Sequence, residues 1–292
     1  MSQPPFPPEI PLVASLAPLA ADRRALLVDI WGVMHNGVKP FLPAAEACQR
    51  FRETGGTILL LSNAPRPAPS VVEQLDRIGV PRDAYDAVLT SGDASREMIR
   101  QAAERGRKLG HLGPERDLAL FEGVEHGLVS LEEAETVVCT GLFDDEHETP
   151  QSYADILAHL ARFGADMICA NPDITVERGG RIVYCAGALA QAYEQLGGAV
   201  AYAGKPHPPV YRLAFARIAR MRGAEVPLAE MLAIGDGVFT DIAGAAAAGV
   251  ESVYVASGVH LGAGGRLDSD ALSRLFADVP GRPIAAMTAL AW

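Results

Sequence analysis

Short apolar runs that stop at a polar or glycine-containing element recur along this chain. That pattern restricts the available folds more than any other feature. Ala25–Asp29 (ALLVD) ends in Asp29, and Thr57–Leu61 (TILLL) runs into Ser62-Asn63. Ala199–Ala203 (AVAYA) leads to Gly204-Lys205, and Met231–Gly235 (MLAIG) to Asp236. Ala87–Thr90 and Glu251–Val255 (ESVYV) are of the same kind. Runs without polar alternation are buried on both faces, as in parallel sheets covered by helices. Between them, apolar residues recur at helical spacing from about Pro43 to Thr54, Ser70 to Ile78, Ala94 to Glu104, Pro209 to Arg222 and Asp241 to Ala248. Gly55-Gly56 and Gly79 stop the first two of these. The alternation predicts an α/β fold built on a doubly wound, Rossmann-like parallel sheet.

The stretch 106–198 has a different texture. Gly110, Gly113, Gly123 and Gly127 punctuate it, it carries the acidic run Asp144-Asp145-Glu146, and it holds β-like pieces such as Val137–Thr140 and Met167–Ala170. It reads as a second α/β domain inserted into the first, which then comprises 1–105 and 199–292. Residues 1–20 read as a Pro-rich arm leading into a helix. No internal repeat stands out.

Charge argues against nucleic acid as a partner. The net charge is −11, and only three of the 25 basic residues are lysines: Lys39, Lys108 and Lys205. The groups Arg105/Arg107/Lys108 and Arg217/Arg220/Arg222 have the spacing of solvated helix faces. No apolar run reaches the ~18–20 residues of a membrane span. Glu9 sits where a signal peptide carries positive charge, so a soluble, cytoplasmic protein is expected. Cys48, Cys139, Cys169 and Cys185 lie far apart with no CxxC, as expected of buried reduced thiols.

In doubly wound sheets, ligands bind outside the carboxyl ends of the strands. Asp29, Ser62, Asn63, Lys205, Asp236 and Asp241 all fall there. Singly, each reads as a turn or cap residue. Together, carboxylates, one lysine and one hydroxyl suit Mg2+ plus a phosphate. A carboxylate so placed can also act as a nucleophile.

These residues lie in Asp29-Ile-Trp-Gly-Val, Leu60-Leu-Ser-Asn-Ala, Gly204-Lys-Pro and Gly235-Asp-Gly-Val-Phe-Thr-Asp241, with Asn171-Pro172-Asp173 in the insert. The set resembles the haloacid dehalogenase superfamily, class IIA, whose members carry a NagD-like cap inserted in the core. The resemblance covers all but the first ~20 residues. It implies Asp29 as nucleophile, Ser62 and the amide of Asn63 on the phosphate, and Lys205 stabilising the phosphoenzyme. It further implies a Mg2+ site formed by Asp29, the backbone carbonyl of Trp31, Asp236 and, in support, Asp241. Asn171, Pro172 and Asp173 of the cap would face the substrate. The implied substrate is a small phosphorylated metabolite, and caps of this class often help form homodimers.

One position departs from the pattern. Phosphatases of the family usually carry a second Asp two residues after the nucleophile, as general acid and base, and here that residue is Trp31. Indole has no titratable proton near neutral pH. General acid–base help is worth ~10²–10⁴-fold, so turnover of alkyl phosphates should be slow and acyl or aryl phosphates should suffer least. His35 offers a replacement acid or base, or is a loop histidine. His207 and His260 read as structural or solvated, and Asp144–His147 as a solvated loop rather than a metal cluster. Two further readings stay open: a catalytically weak protein that binds a phosphorylated ligand, and a metal-independent, dehalogenase-like hydrolase. The intact Asp236 and Asp241 argue against the last.

Overall fold

The computed structural model describes residues 9–124, 127–178, 181–256 and 267–292. Its larger sheet is six-stranded and all parallel. The strands are β1 (Ala25–Val28), β2 (Thr57–Ser62), β3 (Ala87–Thr90), β10 (Met231–Gly235), β11 (Glu251–Val255) and β12 (Ala285–Met287), in the order β12-β11-β10-β1-β2-β3. The chain builds β1, β2 and β3 outward on one side, then returns to lay β10 against the other side of β1. The order therefore reverses between β1 and β10, the place where open α/β sheets bind ligands.

Alternate residues of each strand serve opposite faces. Leu26 and Val28 pack with Ala44, Ala47, Cys48 and Phe51 of α2 (Leu42–Glu53) and with Val71 and Leu75 of α3 (Ala68–Ile78). Ala25 and Leu27 pack with Val210, Ala214 and Ile218 of α7 (Pro208–Arg222). Pro at the first turn of α2, α3 and α7 favours helix entry, and left-handed Gly79 and Gly223 end α3 and α7. The sheet is thus doubly wound, as the apolar runs require.

A second, four-stranded parallel sheet has the order β4-β5-β6-β9. Its strands are β4 (Leu109–Leu112), β5 (Thr136–Cys139), β6 (Asp166–Cys169) and β9 (Val200–Tyr202). Helices α5 (Ala154–Phe163) and α6 (Ala186–Gln195) cover one face through Leu157, Leu160, Leu189 and Tyr193. Ile99 and Ala102 of α4 (Ser91–Glu104) cover the other. Ala94 of α4 joins the larger sheet's core, so one helix spans both layers. It starts at a capping box between Thr90 and Asp93, three residues before the expected start. An antiparallel hairpin, β7 (Thr175–Arg178) with β8 (Arg181–Tyr184), leads directly into α6.

Several expectations need correction. The run 199–203, read with the larger sheet, is the edge of the second: Ile168 of β6 pairs with Ala201. An apolar run does not record which sheet it joins. The helix expected from Asp241 is a π-helical turn, Val238–Ile242, followed by α8 (Ala243–Ala247). β4, the β7–β8 hairpin and β12 were not foreseen. Within the described part of the Pro-rich arm, Leu12 and Val13 lie along the sheet edge, Val13 N–H donating to Ala286 O, before α1 (Ala17–Ala20).

The two basic groups are not plain solvated faces. Arg107 lies beyond α4 and donates to Asp166 and to Glu135 O. Arg222 donates to Arg24 O, Gly55 O and Thr57 Oγ1, holding strand starts together. His260 lies outside the described residues. Among the described residues, no helix is long and apolar enough to cross a membrane.

Candidate active site

The register of β1 on β10 sets Val28 beside Ile234, so Asp29 and Asp236 emerge from adjacent strand ends. Asp29 N–H donates to Ile234 O at 2.8 Å, which holds that backbone down against β10. Asp241 reaches the same point from the π-helical turn, where Gly237 N–H donates to its Oδ2 at 3.0 Å. Lys205 extends between them. Its Nζ donates to Asp29 Oδ1 at 2.6 Å, Asp241 Oδ1 at 2.7 Å and Leu61 O at 2.9 Å. The ammonium is 3% exposed, so its three donors are matched by three acceptors away from water.

Burial and these neighbours shift the charges. Burial pushes the Asp29 carboxyl up to about 6, with Lys205 opposing and Asp236 adding to the rise. Burial, then the charge of Asp29, pushes Asp241 up to about 7 against the pull of Lys205. Burial disfavours the Lys205 charge, but Asp241 and Asp29 outweigh it and hold the lysine protonated far above the ordinary range.

Asp29, Asp236 and Asp241 each present a carboxylate oxygen within 4.8 Å of the others. Three carboxylates against one lysine leave two negative charges, which a divalent cation would balance. The all-oxygen donor set suits Mg2+. A Cβ on Gly32 (φ +80°) would lie 2.1 Å from Asp236 Oδ2, so this carboxylate is seated where only glycine leaves room. Asp241 has one oxygen on Lys205 and the other on Gly237, which suits a supporting place rather than a direct one.

The lysine loop is clasped by Asn63. Lys205 N–H donates to Asn63 Oδ1 at 2.8 Å, and Asn63 Nδ2 donates back to Lys205 O at 3.0 Å and to Asp173 Oδ1 at 2.8 Å. One buried amide thus ties β2's end, the lysine loop and the second sheet's 171–173 turn together. Ser62 is buried at the end of β2, and its Oγ accepts from Ala64 N–H. A Cβ on Gly204 would lie 2.4 Å from Asn63 Oδ1, so the clasp needs glycine there.

Comparison with known proteins accords with this geometry. Residues 26–126 match the model of the haloacid dehalogenase-like hydrolases, and 202–277 match a second model described as HAD-hydrolase-like. The ribonucleotide monophosphatase NagD of Escherichia coli is 30% identical, over 81% of this chain and 88% of NagD. The chain belongs to the haloacid dehalogenase-like hydrolase family. A D-glycerol 3-phosphate phosphatase of Mycobacterium tuberculosis is 28% identical, over 83% of this chain and 65% of that protein. A crystal structure of a haloacid dehalogenase-like hydrolase from Brucella suis superposes with a TM-score of 0.84 at 45% identity, covering 95% of this chain and 99% of that one. The fold of a 4-nitrophenylphosphatase from Thermotoga maritima is also similar, with a TM-score of 0.69 at 24% identity over 93% and 96% of the two chains.

The remaining candidates fall around this centre. Trp31 is half-buried, braced by His35 edge-on (centroids 5.1 Å apart) and by Gly37 (φ +87°), where a Cβ would lie 2.6 Å from the indole. His35 is 1% exposed, and its Nδ1 accepts Gly37 N–H at 2.9 Å. Burial lowers it to about 4, so it is neutral at pH 7 with its acceptor nitrogen occupied. The loop reading of His35 fits this, and a catalytic base does not. His207 stacks on Tyr202 (4.4 Å, 7° between planes) at the start of α7.

Asn171 is buried and shapes its turn by accepting Asp173 N–H on Oδ1. Pro172 and Asp173 line the cavity that contains Asp29, and Asn171 lines a neighbouring one. In the acidic run, Asp144 pairs with His147 on the surface. The Asp145 side chain is only 10% exposed and pairs with Arg116 and Arg178, so it is not solvated as expected. Sequence reasoning missed the clasping role of Asn63 and the need for Gly32. A glycine directly after Trp31 was the available signal for the latter.

Proposed function

We propose that this chain hydrolyses, or transfers, the phosphoryl group of small phosphorylated metabolites through an aspartyl-phosphate on Asp29, with Mg2+ as cofactor. The observation that carries this reading is the Lys205 ammonium held between the Asp29 and Asp241 carboxylates at the sheet's switch point. Asp29, Asp236 and the backbone carbonyl of Trp31 would hold the metal, with Asp241 supporting. The bound cation would offset phosphate charge as a Lewis acid.

The chain's own residues do the rest. Lys205 engages Asp29 Oδ1, leaving Oδ2 to attack phosphorus in line with the leaving oxygen. The P–O bond to the leaving group breaks as the Asp29–phosphorus bond forms. The Ser62 hydroxyl and the backbone amide of Asn63 take equatorial oxygens, and Lys205 takes another by exchanging one of its three present acceptors for it. Water then cleaves the acyl phosphate and regenerates Asp29. Trp31 supplies no proton to the leaving oxygen, so rates depend steeply on leaving-group acidity. Residues 106–198, together with β9, act as the cap, with the 171–173 turn facing substrate and water excluded on closure. The four free, buried thiols support a reducing, cytoplasmic setting.

The test is phosphate release with Mg2+ across alkyl, aryl and acyl phosphates, for wild type, Asp29→Asn and Trp31→Asp. Wild type should act on aryl and acyl phosphates, Asp29→Asn should be inert, and Trp31→Asp should gain most on alkyl esters. Trp31 favours one second reading, a protein that binds phosphorylated ligands without turnover. Ligand binding with release only by Trp31→Asp would select that reading. Activity undiminished in chelator would overturn the Mg2+ assignment.

A further inference from the structure

Trp31 lines two adjoining cavities. One, of about 640 Å³, holds Asp29, Lys205, Asp236 and Asp241. The other, of about 660 Å³, shares Trp31, Ser62, Asp173 and Val176 with the first and is lined by four arginines: Arg66, Arg77, Arg116 and Arg178. Against them the lining sets three aspartates, Asp117, Asp145 and Asp173, so it is net positive in a chain of net charge −11.

The arginines come from both sides of the seam. Arg66 and Arg77 belong to the segment leaving β2 and to α3. Arg116 follows β4, and Arg178 ends β7. Like charges facing each other across a seam are repulsive. Burial lowers the Arg66 pKa, with Asp117 opposing and Arg116, Arg77 and Arg178 adding to the fall. The local carboxylates do not cancel the set. Asp145 is shared, accepting from Arg116 at 2.6 Å and from both terminal nitrogens of Arg178 at 2.9 and 3.2 Å. Asp117 is 3% exposed, and burial raises its carboxyl against the pull of Arg116 and Arg66. Asp173 is engaged by Asn63.

We infer that the second cavity is a subsite for an anionic group at the far end of the substrate. The substrate is then a phosphate monoester whose distal carboxylate or second phosphate lies between Arg66 on one side of the seam and Arg116 and Arg178 on the other. This rests on the phosphatase reading for the near end of the molecule. Trp31 fits the same scheme, because a carboxylate at position 31 would repel an anion lying along the passage between the cavities. Arginine's planar fork suits either oxyanion.

The experiment compares alkyl phosphates with ω-carboxyalkyl phosphates and α,ω-bisphosphates of two to six methylenes. Proteins are wild type, Arg66→Gln and Arg116→Gln, each checked for folding by thermal unfolding. At the fitting length, a distal anion should lower KM by about tenfold to a hundredfold. Either substitution should remove most of that preference, with kcat changed less than twofold and plain alkyl phosphates unaffected. The carboxylate and bisphosphate arms show which oxyanion is preferred. Calorimetric binding of the corresponding non-hydrolysable phosphonates, with Mg2+ present, reads the same preference without turnover. Hydrolysis of plain esters with no preference at any length overturns the subsite and leaves the phosphatase reading standing. A preference in phosphonate binding that the arginine variants lose, with no turnover of any ester, keeps the subsite and overturns the phosphatase reading. A preference that survives both substitutions also overturns the subsite.

Discussion

Replacing Lys205 by methionine tests the charge arrangement at the centre of the site. The substitution keeps an unbranched side chain only one atom shorter and removes a buried ammonium bonded to Asp29, Asp241 and Leu61 O. Breaking a buried ion pair by deleting one partner costs about 3–5 kcal/mol, because the remaining charges lose their compensation. Here two carboxylates remain, already raised by burial to about 6 and about 7 with the lysine present. Without it they rise further, so the folded variant holds protons that the unfolded chain has released.

The sign follows. A folded state that binds more protons loses stability as pH rises, by about 1.4 kcal/mol per pH unit for each retained proton. In wild type this loss is nearly complete by about pH 8, one unit above the Asp241 value. The Lys205 contribution, from a pKa raised on folding, is fully present below its ordinary 10.5 and is constant over this range. In Lys205→Met the loss continues past that point. Urea unfolding in chelator at pH 7.0 and 8.5 should therefore show a stability deficit that widens with pH. A deficit that stays constant, or is near zero, would refute the claim that the lysine holds two ionised carboxylates together.

Three further outcomes are expected. His35 is buried and lowered from 6.5 to about 4, so its contribution is present above pH 6.5 and lost as pH falls toward 4, up to about 3 kcal/mol. His35→Gln keeps an acceptor for Gly37 N–H and should flatten that acid loss in melts between pH 4.5 and 7. Gly204→Ala places a Cβ 2.4 Å from Asn63 Oδ1 and 2.7 Å from Ser91 Oγ, and should lower stability by about 1–3 kcal/mol in denaturant titrations. Mg2+ at a hundred times its Kd should raise wild-type stability by about 2.7 kcal/mol in thermal melts, and Asp236→Asn should lose that increase.

Much of the fold can be read directly from the chain. Runs such as TILLL carry no polar alternation, so they must be covered on both faces. A proline at the first turn, or a glycine at the end, marks most of the helices around them. Asp29, Ser62 and Asp236 could be grouped from the sequence because strand ends in a doubly wound sheet converge, whereas Lys205, grouped with them by the same rule, follows a strand of the second sheet. β12 was not legible because AAM carries almost no pattern. The β7–β8 hairpin was missed because its exposed residues mix charge with apolar side chains.

What only the tertiary structure decided concerns partners far apart in sequence. The run 199–203 has the composition of a core strand whichever sheet it joins. Its edge position beside β6 depends on where the chain crosses between the layers. Asn63 reads as a turn residue, yet its amide joins Lys205 and Asp173, which are 142 and 110 positions away. Asp145 reads as one member of a solvated acidic run until Arg116 and Arg178 close on it. Local patterning reports which face of an element is buried. It holds no record of which distant side chain supplies the opposite charge, and that pairing is what opposes the burial of Asp29 and Asp241 and what gathers the arginines beyond Trp31.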